Sequence, residues 1–493
     1  MKKILKIFAY FFGIILGIIL LTALVAWIRS SMALSKDMAL LGPEAKTMTV
    51  DGFSFRDLNK NGKLDVYEDQ RVAVNARVED LLKQMTIEEK AGLMFFQMTG
   101  INSDGSLMRK TTLTNPFSWA LESNTFMVAR KKMNHFNTMQ APSPQALIRW
   151  HNEIQKLAER TRLGIPVTLG TDPRHGVPHA PGLSIATPFF SPWCSAPGFA
   201  ATRDTALMRR FGEVAREEYK SMGFRVTLSP QADLATEPRW ARINGTFGED
   251  AQLAGAMTRA YIQGFQGDTL GPWSVACMVK HFSGGGPQED GWDAHFPPGR
   301  QAYPGKNFAY HMIPFDSAFS VHAASVMPYY GIPVGQTSED VGFAYNKEII
   351  TGLLRGKYKY DGVVCTDWAL VSDGAFFGIM LKPASAHGVE KLSREERVFK
   401  IIDAGCDQFG GEALPEVIVS LVKSGRIPES RIDVSVKRLL RDKFTLGLFD
   451  NPYLEEANAS IPGRKEYVEL GRESQRRSLV LLKNEGNLLP LKA

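Results

Sequence analysis

Around residue 360 the chain reads YDGVVCTDWAL. A small, apolar run (Gly362, Val363, Val364, Cys365) leads through Thr366 to a lone carboxylate, Asp367, with Trp368 behind it. An ionised carboxylate at the mouth of a buried strand is costly unless a partner or a reaction holds it. Partners of the right kind end other apolar runs: Asp172 in GIPVTLGTD, Lys280 and His281 in VACMVKHF, and Tyr330 in SVMPYY, and Arg242 in EPRWARING adds a further cation. Cations beside Asp367 would lower its pKa and keep it charged, which suits a nucleophile better than a general acid. The remaining charges and donors suit a polyhydroxyl ligand, and Trp368, Trp240 and Tyr330 offer flat faces for a sugar ring.

Each residue also has a plainer reading. Asp172 and His175 fit a turn or a core contact at TDPRHG. Lys280 and His281 alone are compatible with satisfied core polar groups. Glu249 and Asp250 suit the first turn of a helix, where the dipole favours acids, and Asp403 and Asp407 suit caps or ion pairs. His295, His311 and His322 have no metal-like spacing. Only the joint arrangement points to chemistry, so the elements that position it decide the matter.

From residue 78 those elements alternate. Amphipathic stretches such as RVEDLLKQMTIEEKAGLM and TALMRRFGEVAREEYKSMG read as helices, and short apolar runs such as FRVTLSP and VVCTDW read as buried strands. Repeated strand–helix units predict a parallel sheet covered by helices, and polar residues at the strand ends predict a (β/α)8 barrel of the TIM type, with Asp172, Lys280, His281, Tyr330 and Asp367 on one face. The 493 residues allow one such domain plus flanking pieces, and 44% hydrophobic with 22% charged residues is ordinary for a folded chain. The net charge of +6 is scattered, and no nucleic-acid surface is expected.

The first residues differ in kind. Lys2, Lys3 and Lys6 precede an uncharged apolar run over residues 7–28, long enough to span a bilayer. The positive flank predicts a signal anchor with everything after Arg29 outside the cytoplasm. A cleaved signal followed by secretion is the competing reading, since SMALS offers a small-residue cleavage site. The four cysteines are far apart and read as buried small hydrophobes without a disulfide. In DLNKNGKLDVYED, Asp57, Asn59, Asn61, Lys63, Asp65 and Glu68 occupy ligand positions of an EF-hand-like loop, with Gly62 at the sharp turn. A structural Ca2+ is expected there. The competing reading is a polar turn needing no ion.

Taken together and in order, GIPVTLGTDPRHG, EPRWARINGTFGED, MVKHFSGGGP, SVMPYYG, DGVVCTDWA and SLVLLKNEGNLLPL resemble glycoside hydrolase family 3 of the β-glucosidase type. The resemblance runs from about residue 78 to the end. It implies retaining hydrolysis of β-glucosides or of β-gluco-oligosaccharide non-reducing ends, without a cofactor for catalysis and through a covalent glycosyl–Asp intermediate. Asp367 is then the nucleophile, Asp172, Arg242, Lys280 and His281 bind sugar hydroxyls, Tyr330 sits near the nucleophile and Trp368 walls the pocket. Ala241 and Gly245 depart from the family pattern, as does Gly285, which replaces the histidine typical of N-acetylglucosamine-processing members.

The apolar run sets residues 1–30 apart as anchor and the EF-hand-like motif puts the loop at 57–68 in a spacer over 31–77, while the resemblance implies a barrel over 78–442 and, over 443–493, a linker and the start of a truncated α/β sandwich domain. It places the acid/base of the two-domain relatives in that sandwich, so Glu249, Glu289 and Asp293 are not nominated. A rival reading is a non-catalytic carbohydrate-binding barrel.

Overall fold

The computed structural model describes residues 2–112, 114–138, 140–175, 187, 189–376, 379–487 and 489–490. Gly176, which ends the TDPRHG motif, and Leu488 and Leu491 of the C-terminal motif lie outside the described residues.

Eight strands form a closed barrel in chain order: β1 (Phe95–Met98), β2 (His135–Asn137), β3 (Thr168–Thr171), β4 (Phe224–Thr227), β5 (Ala276–Phe282), β6 (Ser325–Pro328), β7 (Val363–Trp368) and β8 (Gln408–Gly410). The registers are parallel, as in Val226↔Ala276 between β4 and β5 and Val363↔Ser325 between β7 and β6. All seven residues of β5 are buried, as expected of a parallel strand covered on both faces. The (β/α)8 expectation is met.

By compactness the chain divides into two units, one of Met1–Leu169, Ala375–Ile379 and Gly411–Glu456, the other of Gly170–Gly374, Met380–Gly410 and Ala457–Ala493. The first unit contains a long helix, Lys2–Met38, and an antiparallel hairpin, Lys46–Val50 with Phe53–Asp57. The stretch from Val78 to Met94 reads as one amphipathic helix in the sequence but is broken at Thr86. Its hydroxyl accepts from Glu89 N (3.3 Å) and its own N–H reaches the Glu89 carboxylate (2.9 Å), a capping box that starts a new helix, Ile87–Leu93, after Val74–Gln84.

In the loop after the hairpin, Asp57 accepts from the N–H groups of Asn61 (3.1 Å) and Gly62 (3.0 Å). Glu68 accepts from Leu58 (2.7 Å), Asn59 (3.3 Å) and Asp65 (3.1 Å). The amides of Asn59 and Asn61 both donate to Asp65 Oδ2, at 2.9 and 2.6 Å. Lys60 donates to the carbonyls of Leu58, Glu159 and Thr161, which fastens the loop to the end of helix Pro144–Glu159. Among the described residues no group of three metal-ligating His, Cys, Asp or Glu side chains converges.

Also in this unit, Lys443 on helix Glu429–Thr445 is 1% exposed and donates to Asn134 O (3.0 Å), Pro166 O (2.9 Å) and Thr168 Oγ1 (2.7 Å), the groups that enter β2 and β3. Burial pushes its ammonium well below the ordinary lysine pKa.

In the second unit, helix Thr205–Ser221 is capped by Asp204 and helix Ala251–Gln266 by Asp250, whose carboxylate accepts from Gln252 (2.9 Å) and Leu253 (3.1 Å). Glu218, fully buried, accepts from Ser191 N and Oγ (3.0 and 2.7 Å) and Gly463 N (2.7 Å) and pairs with His175 Nε2 (2.5 Å). His175 is therefore a core residue, stacked on Tyr219 with ring centroids 5.2 Å apart. Asp403 pairs with Lys347, and buried Asp407 accepts from Arg355 (2.6 Å) and from Val364 N (3.0 Å) at the entry to β7. All four cysteines are buried free thiols.

Lys443→Met removes a donor from three buried acceptors; Asn134 O keeps the N–H of Thr168 (2.8 Å), and loss of the donor to Pro166 O and Thr168 Oγ1 costs roughly 1–3 kcal/mol each, partly offset because no ammonium is then desolvated. The expected outcome is a loss of about 2–4 kcal/mol, read as a lower urea midpoint with an unchanged slope. An unchanged midpoint would contradict this role.

Candidate active site

The strand ends of the second unit deliver the site. Asp172 follows β3, Lys280 and His281 lie within β5, Tyr329 and Tyr330 follow β6, and Asp367 and Trp368 close β7. Arg242 comes from the loop between β4 and helix Ala251–Gln266.

Asp367 is 6% exposed. Its Oδ1 accepts from Trp368 N at 2.8 Å, whereas Oδ2 is buried with no hydrogen-bond partner among the described residues. His281 Nε2 lies 3.8 Å from that bare oxygen. The Tyr330 hydroxyl accepts from Trp368 N at 3.1 Å, and burial first, then the Asp367 charge, pushes its phenol well above the ordinary value. Burial opposes the charge on Arg242, but Tyr329, Asp293 and Asp367 outweigh it and raise the guanidinium pKa above its usual range. Lys382 stands close by, its Nζ 5.8 Å from the Tyr330 ring centroid. Burial lowers its pKa against the pull of Asp367 and Asp293. Asp367 thus faces cations without being quenched by a direct hydrogen bond at Oδ2.

His281 is fixed from behind. Asp233, fully buried, accepts from His281 Nδ1 (2.6 Å), from His281 N (3.1 Å) and from Gly285 N. Burial alone would raise the pKa of Asp233, and the imidazole with the two amides outweighs it and holds the carboxyl low. Burial disfavours the imidazolium more than Asp233 favours it, so the His281 pKa is lowered. An ionised Asp233 only accepts, which puts the His281 proton on Nδ1 and leaves Nε2 a lone pair for a substrate hydroxyl. Gly285 is needed here: a Cβ would stand 2.9 Å from Asp233 Oδ1 and 3.1 Å from Tyr329 Cδ1. Gly410 plays the same part for Trp368, whose Cε3 would be 2.6 Å from a Cβ at that position.

Lys280 Nζ binds Asp172 Oδ1 at 3.1 Å, and the Asp172 side chain stays 41% exposed, within reach of a ligand. Arg242 reaches the Tyr329 hydroxyl at 3.4 Å. Asp293 holds the other side of this cluster. Its Oδ2 accepts from Trp240 Nε1 (2.7 Å) and Tyr329 (3.2 Å), and its Oδ1 from His295 N (2.8 Å) and Nδ1 (2.6 Å). Burial would raise its pKa, but His295 and Arg242 hold it well below the carboxylate range. With four donors, Asp293 is unsuited to act as a proton donor itself.

The geometry thus brings together Asp172, Arg242, Lys280, His281, Tyr330, Asp367 and Trp368. One expectation is corrected: Trp240 is 1% exposed and spends its indole N–H on Asp293, so it braces the site and offers no face to a sugar. Sequence reasoning missed Asp233, Asp293 as a brace, His295 and Lys382. Asp233 carried a readable signal, a carboxylate just after an apolar strand as at Asp367. Lys382 carried none.

Residues 134–441 match the Glycosyl hydrolase family 3 N terminal domain. The chain is 48% identical over 436 residues to the probable beta-glucosidase C of Aspergillus oryzae, covering 88% of this chain and 67% of that protein. It is 41% identical over 469 residues to a periplasmic beta-glucosidase/beta-xylosidase of Dickeya chrysanthemi, covering 91% and 70%. Two solved β-glucosidase structures share the fold at 24% identity: one from Erythrobacter marinus (TM-score 0.69, 87% of this chain, 53% of the other) and one from Listeria innocua in complex with glucose (TM-score 0.66, 85% and 53%). The chain therefore spans about two thirds of those curated relatives and about half of those solved structures. On the family match over residues 134–441 and the identity to these relatives, the chain belongs to glycosyl hydrolase family 3.

Proposed function

We propose that this chain carries the nucleophile of a retaining glycosidase that releases glucose from β-glucosides. The observation that carries the reading is the buried Oδ2 of Asp367, without a hydrogen-bond partner among the described residues and set among Arg242, Lys382 and His281. Asp367 attacks the anomeric carbon, the glycosidic C–O bond breaks with its electrons leaving on the aglycone oxygen, and water later cleaves the glycosyl–Asp ester. Asp172, Lys280, Arg242 and His281 orient the hydroxyls, and Trp368 walls the pocket beside the nucleophile. Relatives named as glucosidases support the substrate class, and the second name of the Dickeya chrysanthemi protein makes β-xylosides the natural comparison substrate.

We place the enzyme outside the cytoplasm, held by helix Lys2–Met38. The support is its uncharged apolar run behind three lysines, the span at Tyr10–Met38 that is long and apolar enough to cross a bilayer, and the periplasmic label of one relative. We also propose that the loop at residues 57–68 takes a structural Ca2+. Asn59, Asn61 and Asp65 side chains already meet there, and turning either amide by half a revolution puts an oxygen where a nitrogen stands.

Aryl glucosides with good leaving groups test the nucleophile, because they need little protonation. Asp367→Ala should lower their turnover by a factor on the order of 10⁴ or more, as for loss of other covalent nucleophiles. Equal, negligible rates in parent and variant with glucose still bound would instead support the carbohydrate-binding reading. Asp233→Asn frees His281 from its fixed tautomer, and kcat/KM should drop on the order of a hundredfold, about 2.7 kcal/mol. An unchanged kcat/KM would remove His281 from the transition state. For the loop, thermal unfolding should shift upward in calcium relative to chelator in the parent, and this difference should vanish in Glu68→Gln. Equal midpoints in the parent would leave the loop closed by its own hydrogen bonds.

A further inference from the structure

Where the folded body meets the N-terminal helix bears on how the enzyme is held. The apolar run ends at Ile28, and the helix continues without a break to Met38. Ser30 and Leu34 are half-buried and Asp37 is 2% exposed, a stripe at helical spacing, while Arg29, Met32 and Lys36 stay exposed. Asp37 is locked to Arg130, with Oδ1 2.8 Å from Nε and 2.7 Å from Nη2. The body therefore meets the helix at Ser30 and beyond, and through Lys110 as early as Trp27, so its contact begins within about 3 Å along the axis of the end of the apolar run at Ile28. A headgroup layer is roughly 5–8 Å thick on each side of the hydrocarbon. A body that begins about 3 Å from the hydrocarbon edge overlaps that layer, leaving no length for a flexible tether.

Cations stand at this level. Lys110, from the body, places its Nζ 4.9 Å from the ring centroid of Trp27, inside the last apolar turn. Trp at a helix end and Lys reaching along it are the side chains that settle at a membrane interface. Arg29 is exposed one residue past Ile28. Arg109 points the other way, its Nη1 3.7 Å from Met38 Sδ. The acidic groups nearby have other partners or are buried: Asp37 is taken by Arg130, Glu153, which lines a cavity with Lys110 and Arg109, pairs with Lys156 at 3.2 Å, and burial raises the Glu122 pKa toward its neutral form. Lys110, Arg109, Ser30 and Thr111 share the rim of a cleft of about 380 Å³ beside the helix.

We propose that the body sits directly on the outer face of the bilayer, with Lys110 and Arg29 binding phosphates of anionic phospholipid headgroups. This rests on the anchored reading of helix Lys2–Met38. The seat fixes the enzyme at the membrane surface, so its substrates are those that arrive there.

The test uses the full chain in nanodiscs of phosphatidylcholine, alone or mixed with phosphatidylglycerol. All four native cysteines are buried, so Lys110→Cys can be labelled selectively with bimane. Several-fold stronger quenching by a headgroup nitroxide lipid than by a mid-chain nitroxide is expected. A label unquenched by either in a chain that co-migrates with the disc overturns the seat and leaves the anchor standing. A chain that does not co-migrate with discs overturns both. In the native background, Lys110→Gln and Arg29→Gln should each lower the enrichment of co-purified phosphatidylglycerol over phosphatidylcholine by up to roughly fivefold. Equal enrichment in parent and variants overturns the assignment to anionic headgroups.

Discussion

Everything at the strand ends depends on one carboxylate oxygen that is buried and has no hydrogen-bond partner among the described residues. Moving a carboxylate out of water costs several kcal/mol even after relaxation, and a protein ordinarily recovers that by giving each oxygen a donor. Among the described residues Asp367 receives one at Oδ1, from the backbone of Trp368, and none at Oδ2. Oδ2 is supported at longer range, by the charge of Arg242 and by Lys382, with His281 at 3.8 Å. Such support leaves unoccupied the lone pairs a reaction would use.

The supports are themselves supported. Arg242 keeps its proton because Tyr329 and Asp293 surround it, and Asp293 in turn is pinned by Trp240, Tyr329 and His295. His281 is oriented by Asp233, which Gly285 approaches closely enough to donate its N–H. The entries to the strands carry charges of another kind: Lys443 and Asp407 satisfy backbone groups and face no ligand. The barrel thus separates charges that stabilise from charges available to a substrate, as its architecture generally does.

Much of this is legible in the sequence because a parallel barrel has a simple rule. Buried strands appear as short apolar runs, and a polar residue at the end of such a run points to the ligand face, which locates Asp172, Lys280, His281 and Asp367. What is illegible are pairings that depend on distance in space. Asp293 and His295 lie in a Gly- and Pro-rich loop without periodicity, and Lys382 follows no motif. Trp240 has the composition of a sugar platform, yet its indole is turned inward to a carboxylate 53 residues later. The break at Thr86 shows the opposite case: the T-x-x-E capping signal was present in the sequence, and the continuous amphipathic pattern obscured it.

The central claim is that Asp367 Oδ2 forms a bond to the anomeric carbon of a bound glucoside. Incubation with an activated 2-fluoro glucoside, followed by proteolysis and peptide mass mapping, reads this directly. The account predicts a single 2-fluoroglucosyl adduct on the peptide carrying Asp367, with fragmentation placing it on that carboxylate. An adduct on any other residue, or none while the same compound is bound at the site, would contradict it.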